Sequence, residues 1–572
     1  MSRASRIATL LVACAACAHG DRTTLPEARP ESGGGPKPAT EATCSAPLPL
    51  LGDKERLASI RTGVDQLLTA QARLLWETWT RGAAPNLEAS LAGREALFSP
   101  ETVAFVKDAR DRSEGDERRA LALLHAFLVG EHLAREAAAG SPAAAGRLAL
   151  TWEGRTVATE RVPALLALEP DPERRAGLER AWADAERRGA AIADARWRGI
   201  AAAAERIGYS SFLALAVELR GEPIRRLGAL ANSVLGETDA EYRALVDALA
   251  HVEMGTGLAE LRGRDMPRLL RAGEDARAFP TGRAAGDVGK MLATIGLDLP
   301  GRPGVVLDLE ARSGKDPRAL ALPVEVPRSV RVSFAPQGGA TELRALLHEM
   351  GVAAYYAYVS TPMLEFRRLG AVTSETWGGV FEDLAGDPRW LAERTGLDDS
   401  HLVPIVRAAA ARRLHRARTL AARVLVEIGR AGKREGSPAV AKAILERAFA
   451  RPVETDELQL FLLDRDPLLE SADALRALLL AAQGEAFLTA RSPPSWWHSK
   501  ESGAWLAAAF ADGSRLAPAD LARAFGVARV DASALAASSR ARAAAAGIRQ
   551  AGREGPSSPR SLRPEAVTGV AP

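Results

Sequence analysis

From Asp53 onward the apolar residues return at helical spacing, with Leu57, Ile60, Val64, Leu67 and Leu68 followed by Leu74, Leu75 and Trp79. Steps of three and four place them on one face of an amphipathic helix. The same rhythm predicts helices over Glu117–Ala138, Pro172–Gly199, Gly199–Gly221, Asp239–Leu261, Glu342–Ala357, His401–Gly432, Ser437–Phe449, Ser471–Ala490 and Ala517–Phe525. Gly, Pro and Asp punctuate these windows as caps and breaks. Alternation is rare. Arg147–Trp152 and Arg155–Val157, joined by Glu153-Gly154, predict a hairpin, and Ser329–Phe334 alternates like a strand. The fold class is therefore mainly α with a few short β-strands. No period of 20–50 residues recurs, which speaks against a helical-repeat solenoid.

The first twenty residues have a different pattern. Arg3 and Arg6 precede the apolar run Ile7–Ala13, which is too short to span a bilayer and reads as a signal peptide over residues 1–20. Leu11-Val12-Ala13-Cys14 resembles a bacterial lipobox, so Cys14 is the expected lipidation site; Cys17 has less suitable residues before it. An acylated Cys14 implies membrane attachment through lipid and a place in the bacterial cell envelope, on the periplasmic or outer-membrane face. Residues 21–50 are rich in Pro, Gly, Thr and Glu and read as a flexible tether. Three Cys are too few for a disulfide framework; Cys17 and Cys44 could pair, but would staple only this tether.

Composition narrows the function further. The chain has 572 residues, 47% of them hydrophobic, enough for a large buried core. Its 75 Lys and Arg interleave with 72 Asp and Glu for a net charge of +3, which argues against a nucleic-acid footprint. Only eight of the cations are Lys, a bias that fits GC-rich coding. Residues 51–300 form a helical N-terminal part and residues 301–545 a second part that carries the candidate chemistry. Residues 546–572, Pro/Ser/Arg-rich from Gly555, read as a disordered tail.

The candidate chemistry centres on Leu346–Val352, inside a predicted helix, where His348-Glu349 begins as the zinc motif H-E-x-x-H begins. Upstream stand Asp308–Ala319, Pro323–Pro327, Val330–Phe334 and Pro336–Gly339; downstream stands Ala371–Leu384, containing Ser374-Glu375. Together these segments resemble the active-site region of the thimet oligopeptidase and oligoendopeptidase family of zinc metallopeptidases. Ile207–Ala216 is similar to a segment of that family's amino-terminal half. The resemblance runs from about residue 53 to 540 and is dense between 305 and 390. It implies a large helical body around a deep cleft, His348 and Glu375 as zinc ligands, Glu349 as the general base that polarises the zinc water, and peptides as ligands, bound extended beside the strand Val330–Phe334. The 27 residues between His348 and Glu375 suit a helix, a loop and a returning helix.

The motif departs from the family at its fifth position, where Val352 stands in place of the second His ligand. A catalytic zinc keeps three protein ligands and an open position, and a valine has no lone pair. Gly351, Ala353 and Ala354 offer no substitute, and Tyr355 and Tyr356 lie about one turn further along. A second departure concerns the oxyanion. The resemblance implies Tyr and His donors from the carboxy-terminal part, yet all five Tyr lie at or before Tyr358, and His498 is the only imidazole beyond residue 415. The expectation is a degenerate, catalytically impaired oligopeptidase-like lipoprotein with weak or absent zinc. Its alternatives are an active metallo-oligopeptidase with an atypical site and a non-catalytic helical envelope scaffold. For Glu349 and Glu375 themselves the plainer alternative is a pair of helix carboxylates bonded to nearby Arg.

Other features add little. His125 and His132 lie seven apart on one helix face and read as core or boundary residues rather than a metal site. Gly286–Met291 lacks the first Gly and the final Ser/Thr of a phosphate-binding loop. Trp496, Trp497 and Trp505 read as core packing, and His251, His401 and His415 have no partner legible in the sequence.

Overall fold

The computed structural model describes residues 52–83, 87–139, 148–271, 278–431, 437–466 and 468–547. Signal peptide, tether, Cys14, Cys17 and Cys44 lie outside the described residues, as does the tail beyond Gly547. The chain is mainly helical, as the periodicity requires. Helix α1 (Asp53–Arg81) begins where Glu55 accepts the Gly52 N–H and ends at Gly82, whose φ of +66° favours glycine. Next come α2 (Pro100–Asp111) and α3 (Gly115–Ala139). They bury Val103, Val106, Leu121, Leu124 and Leu128 against Val64 and Leu67 of α1. The hairpin forms from β1 (Ala149–Trp152) and β2 (Arg155–Ala158) around Glu153-Gly154.

Helix α4 (Pro172–Arg206) corrects the break expected at Gly199. Asp171 caps its first turn by accepting the N–H groups of Glu173 and Arg174, and the helix then runs 35 residues without interruption. A single glycine costs a helix only about 1 kcal/mol, which packing on both sides of Gly199 outweighs. Helix α5 (Asp239–Met254) stops at Gly255, φ +66°, short of the expected Leu261. Its Tyr242, Leu245 and Leu249 share a core with Leu414, Leu475 and Leu479, so residues on either side of position 300 pack together.

Three short strands precede the candidate helix: β3 (Val305–Asp308), β4 (Leu320–Glu325) and β5 (Ser329–Ser333). Only β5 was anticipated. They form one sheet in the order β3-β5-β4, with β3 parallel and β4 antiparallel to β5. The strand expected to receive a peptide is thus the central one. Both its edges are already hydrogen-bonded, which corrects the placement of a ligand beside Val330–Phe334. The sheet is covered on both faces. Ala321, Val330 and Val332 pack into the core of helix α6 (Ala340–Tyr358), while Leu322 and Val324 meet Ala72 and Trp76 of α1.

After α6 the chain turns through Leu364–Arg368 into α7 (Ala371–Glu382), the returning helix that the 27-residue spacing anticipates. Two long helices, α8 (Asp399–Ala431) and α9 (Glu470–Arg491), complete the surroundings of the site. Trp496 and Trp497 are buried in the same core as α6 and α7, and Trp505 packs against it.

Candidate functional site

Helices α6 and α7 lie unusually close, and two glycines explain why. A Cβ on Gly351 would come within 2.7 Å of Phe381 Cδ2, and one on Gly378 within 2.7 Å of His348 Nε2 and 2.8 Å of Val352 Cγ2. Any larger residue would force the helices apart. The close approach brings His348 between two carboxylates of α7. Its Nδ1–H donates to Glu382 Oε2 at 2.9 Å, and its Nε2 faces Glu375 Oε2 at 3.6 Å, too long for a hydrogen bond. His348 and Glu375, predicted from the sequence to share a site, therefore do meet.

Glu349 points elsewhere. Its Oε2 accepts the backbone N–H of Ala321 in β4 at 2.7 Å. That bond ties the residue assigned as general base to the sheet edge. Val352 is 7% exposed and fills the i+4 position beside His348 with methyl groups.

The sequence reading missed Glu382 and its supports. Arg416 of α8 donates to Glu382 Oε2 at 3.3 Å, and Arg344 of α6 stands 3.6 Å from Oε1. The signal was present, since Glu382 lies seven residues after Glu375 and shares its helix face. A carboxylate that fixes one ring nitrogen while the other faces inward is the arrangement of a metal-ligating histidine.

Electrostatics follow from this packing. Burial alone opposes a charged imidazolium, but Glu375 and Glu382 outweigh it and push His348 up to about 10. Burial likewise opposes ionisation of both carboxyls. His348 draws Glu375 below the usual carboxylate range, and Arg416 with His348 draws Glu382 well below it. At neutral pH the group is a buried imidazolium held by two carboxylates. Tyr356, two turns beyond His348, sits by the Ser374 hydroxyl and close to Glu375 and Arg368; burial raises its phenol.

The fit to zinc can be judged on these donors. Nε2 of His348 and the Glu375 carboxylate supply two ligands, Nδ1 is committed to Glu382, and Val352 supplies none. The set is one ligand short of the three that a catalytic zinc requires. Among the described residues, no group of three or more His, Cys, Asp and Glu side chains is arranged to hold a metal ion. Nor does the implied cleft reach this point, because His348 and Glu349 are only 5% and 4% exposed. Cavities open elsewhere, including one of about 610 Å³ between α1 and the β4–β5 turn.

The sheet edge nearest the site is also occupied. Along and beside β4, Trp79 Nε1 donates to Arg318 O at 3.0 Å, Arg368 Nη2 to Pro323 O at 2.9 Å, and Thr69 Oγ1 to Val324 O at 3.2 Å. Together with Glu349 on Ala321, these side chains use the main-chain groups that an extended ligand would need.

The other histidines among the described residues do not join the site. His498 is half-exposed and bonds Glu393 at 2.8 Å. His125 and His132 are both buried, but His132 Nδ1 bonds Phe98 O at 3.0 Å while His125 Nδ1 faces Arg110 at 3.5 Å. His415 bonds the Tyr242 hydroxyl at 2.9 Å. His251 bonds Asp247 O and His401 bonds Asp398.

No family model matches this chain, and no curated protein matches it.

Proposed function

We propose that this protein is a non-hydrolytic, oligopeptidase-like envelope protein, attached to a bacterial membrane through lipid on Cys14. Its former metal locus is an ion-paired histidine. The observation that carries the reading is the pair His348–Glu375 on adjacent helices with Val352 in the ligand position between them. Two of the three expected ligand positions, His348 and Glu375, meet and the third is aliphatic, which is the arrangement left when a metal site loses a ligand. The bond from Ala321 ties one oxygen of the expected base, Glu349, to the sheet.

Binding of extended peptides belongs to this reading, at a different strand from the one first considered. The outer edge of β3 is the sheet edge that remains. Val330 N bonds Gly304 O and Phe334 N bonds Asp308 O, so alternation turns the main-chain groups of Leu307 away from β5. The neighbouring Val306 is 46% exposed. A peptide adding there would use main-chain hydrogen bonds for affinity.

Metal analysis of the purified protein combined with a quenched-fluorescence peptide assay tests the proposal. Less than stoichiometric zinc and no chelator-sensitive cleavage are expected; stoichiometric zinc with cleavage abolished by chelator would establish the active enzyme instead. Saturable binding of an extended peptide library, weakened at least tenfold by Leu307→Pro, which removes an outward-facing N–H without touching the bonds to β5, is expected for the β3 edge. Absence of any saturable binding, with a membrane protein co-purifying, would leave the scaffold reading.

A further inference from the structure

The cavity of about 610 Å³ between α1 and the β4–β5 turn has a charge pattern that the rest of the molecule does not require. Four guanidiniums line it, those of Arg73, Arg94, Arg328 and Arg367, against two carboxylates, Asp65 and Glu325. Both carboxylates are shared. Asp65 takes Arg367 Nη2 at 2.9 Å and also Arg368 Nη1 at 2.9 Å. Glu325 pairs with Arg73 and lies 3.9 Å from Arg328. Five guanidiniums thus surround two carboxylates in a chain whose net charge is only +3.

The excess is unspent at identifiable atoms. Arg94 donates only to a backbone carbonyl, Ser90 O at 3.0 Å, and has no carboxylate within ion-pair distance among the described residues. Arg367 Nε is buried without a hydrogen-bond partner. Arg328 is 83% exposed at the rim, held by a single long contact. Between these charges the wall offers hydroxyl and amide groups from Gln66 and Thr361 and small apolar surface from Ala70 and Pro362.

We infer that this cavity is a binding site for a small polyvalent oxyanion, a di- or tricarboxylate or a phosphate ester, recognised by the forks of Arg94 and Arg328 with Arg367 adding positive charge behind them. A planar guanidinium matches two oxygens of a carboxylate or phosphate at once, and several converging forks discriminate against monovalent anions. The volume is that of a small-molecule pocket. A bound dianion would supply the counter-charge that Asp65 and Glu325, each divided between two arginines, leave missing. The site is separate from His348 and does not depend on whether the chain ever hydrolysed or binds peptides.

Isothermal titration calorimetry on the intact protein, with citrate and inorganic pyrophosphate as probes and chloride at matched ionic strength as control, tests this. Saturable one-to-one binding of at least one probe is expected, with the preferred probe distinguishing the carboxylate from the phosphate source. Arg94→Gln should weaken that binding at least tenfold and Arg94→Gln/Arg328→Gln abolish it, while the melting temperature without ligand stays within a few degrees. Binding of neither probe, or binding unchanged in the double variant, would overturn the proposal. Should the double variant fold poorly, Gln66→Glu, which adds a negative charge to the wall, serves in its place and must also weaken binding at least tenfold.

Discussion

Two buried histidines, His348 in α6 and His125 in α3, stand in surroundings with the same ingredients in opposite order. Each is buried and has arginines and carboxylates nearby. Around His348 the carboxylates touch the ring, and Arg416 and Arg344 stand behind Glu382. Around His125 an arginine faces the ring, and the carboxylate of Glu218 stands behind it, bonded to Arg110 at 2.7 Å and to the Tyr209 hydroxyl at 3.0 Å. The first imidazole is pushed up to about 10. The second is pushed down to about 4, by burial first and by Arg110 next. Burial opposes charge at both sites, so the difference comes from which partner is in contact. A local count of charges would miss it.

The contrast can be broken most severely at Glu382. Glu382→Ala should leave the imidazolium and Arg416 without their shared carboxylate inside the core. A loss of about 3–5 kcal/mol in denaturant unfolding is expected, the cost of breaking a buried pair by removing one partner. The matching change at the other site, Glu218→Ala, should cost about 1 kcal/mol or less, because Glu218 is 29% exposed and does not touch the ring. Equal losses at the two sites would refute the contact argument.

The helix approach itself comes next. Gly378→Ala should destabilise by about 1–3 kcal/mol, since the new methyl lands on both His348 and Val352. Gly236→Ala, in a helix where nothing lies within 4 Å of the added carbon, should be neutral or stabilising in the same thermal melts.

The pH dependence sharpens the comparison, and its two signs are opposite. His348 binds its proton more tightly folded than unfolded, so its contribution is complete below about pH 6.5 and fades as pH rises toward 10. His125 binds its proton less tightly folded, so its contribution is present above about pH 6.5 and is lost as pH falls toward 4. The limiting slope for one proton is about 1.4 kcal/mol per pH unit. His348→Gln should therefore flatten the alkaline limb of the stability profile and His125→Phe the acid limb; a variant that flattens the opposite limb would contradict the assignment.

Val352→His carries the most information about the site, and its readout is metal binding and not stability. With a second imidazole at i+4, one equivalent of zinc should bind, as read by competition with a chromophoric chelator, and the alkaline loss tied to His348 should disappear in the metal-bound protein. Chelator-sensitive peptide cleavage should still be absent, because no Tyr stands beyond Tyr358 to supply the oxyanion donors that the resemblance implies. No zinc binding by the variant would mean that the pair His348–Glu375 is not the remnant of a metal site.

Much of this was legible before any coordinates. The three-and-four spacing of Leu57, Ile60 and Val64 and the caps at Asp171 and Gly82 determined helices, because those signals are local and act within one or two turns. The 27-residue separation anticipated that His348 and Glu375 return to one place, and the i+4 spacing placed Val352 beside them. Gly199 misled because helix propensity is weak beside packing. The strand β4 was missed because it is short and largely buried, without the alternation that reveals a half-exposed strand, and β3 because four residues are too few to show a period. What tertiary structure alone decided was direction: that Glu349 turns to Ala321, that Glu382 rather than solvent meets Nδ1, and that β5 is flanked on both sides. The physical reason is range. Helix and strand preferences are set by neighbours along the chain, whereas a carboxylate's partner and an imidazole's charge are set by groups dozens of residues away that only packing brings within a few ångströms.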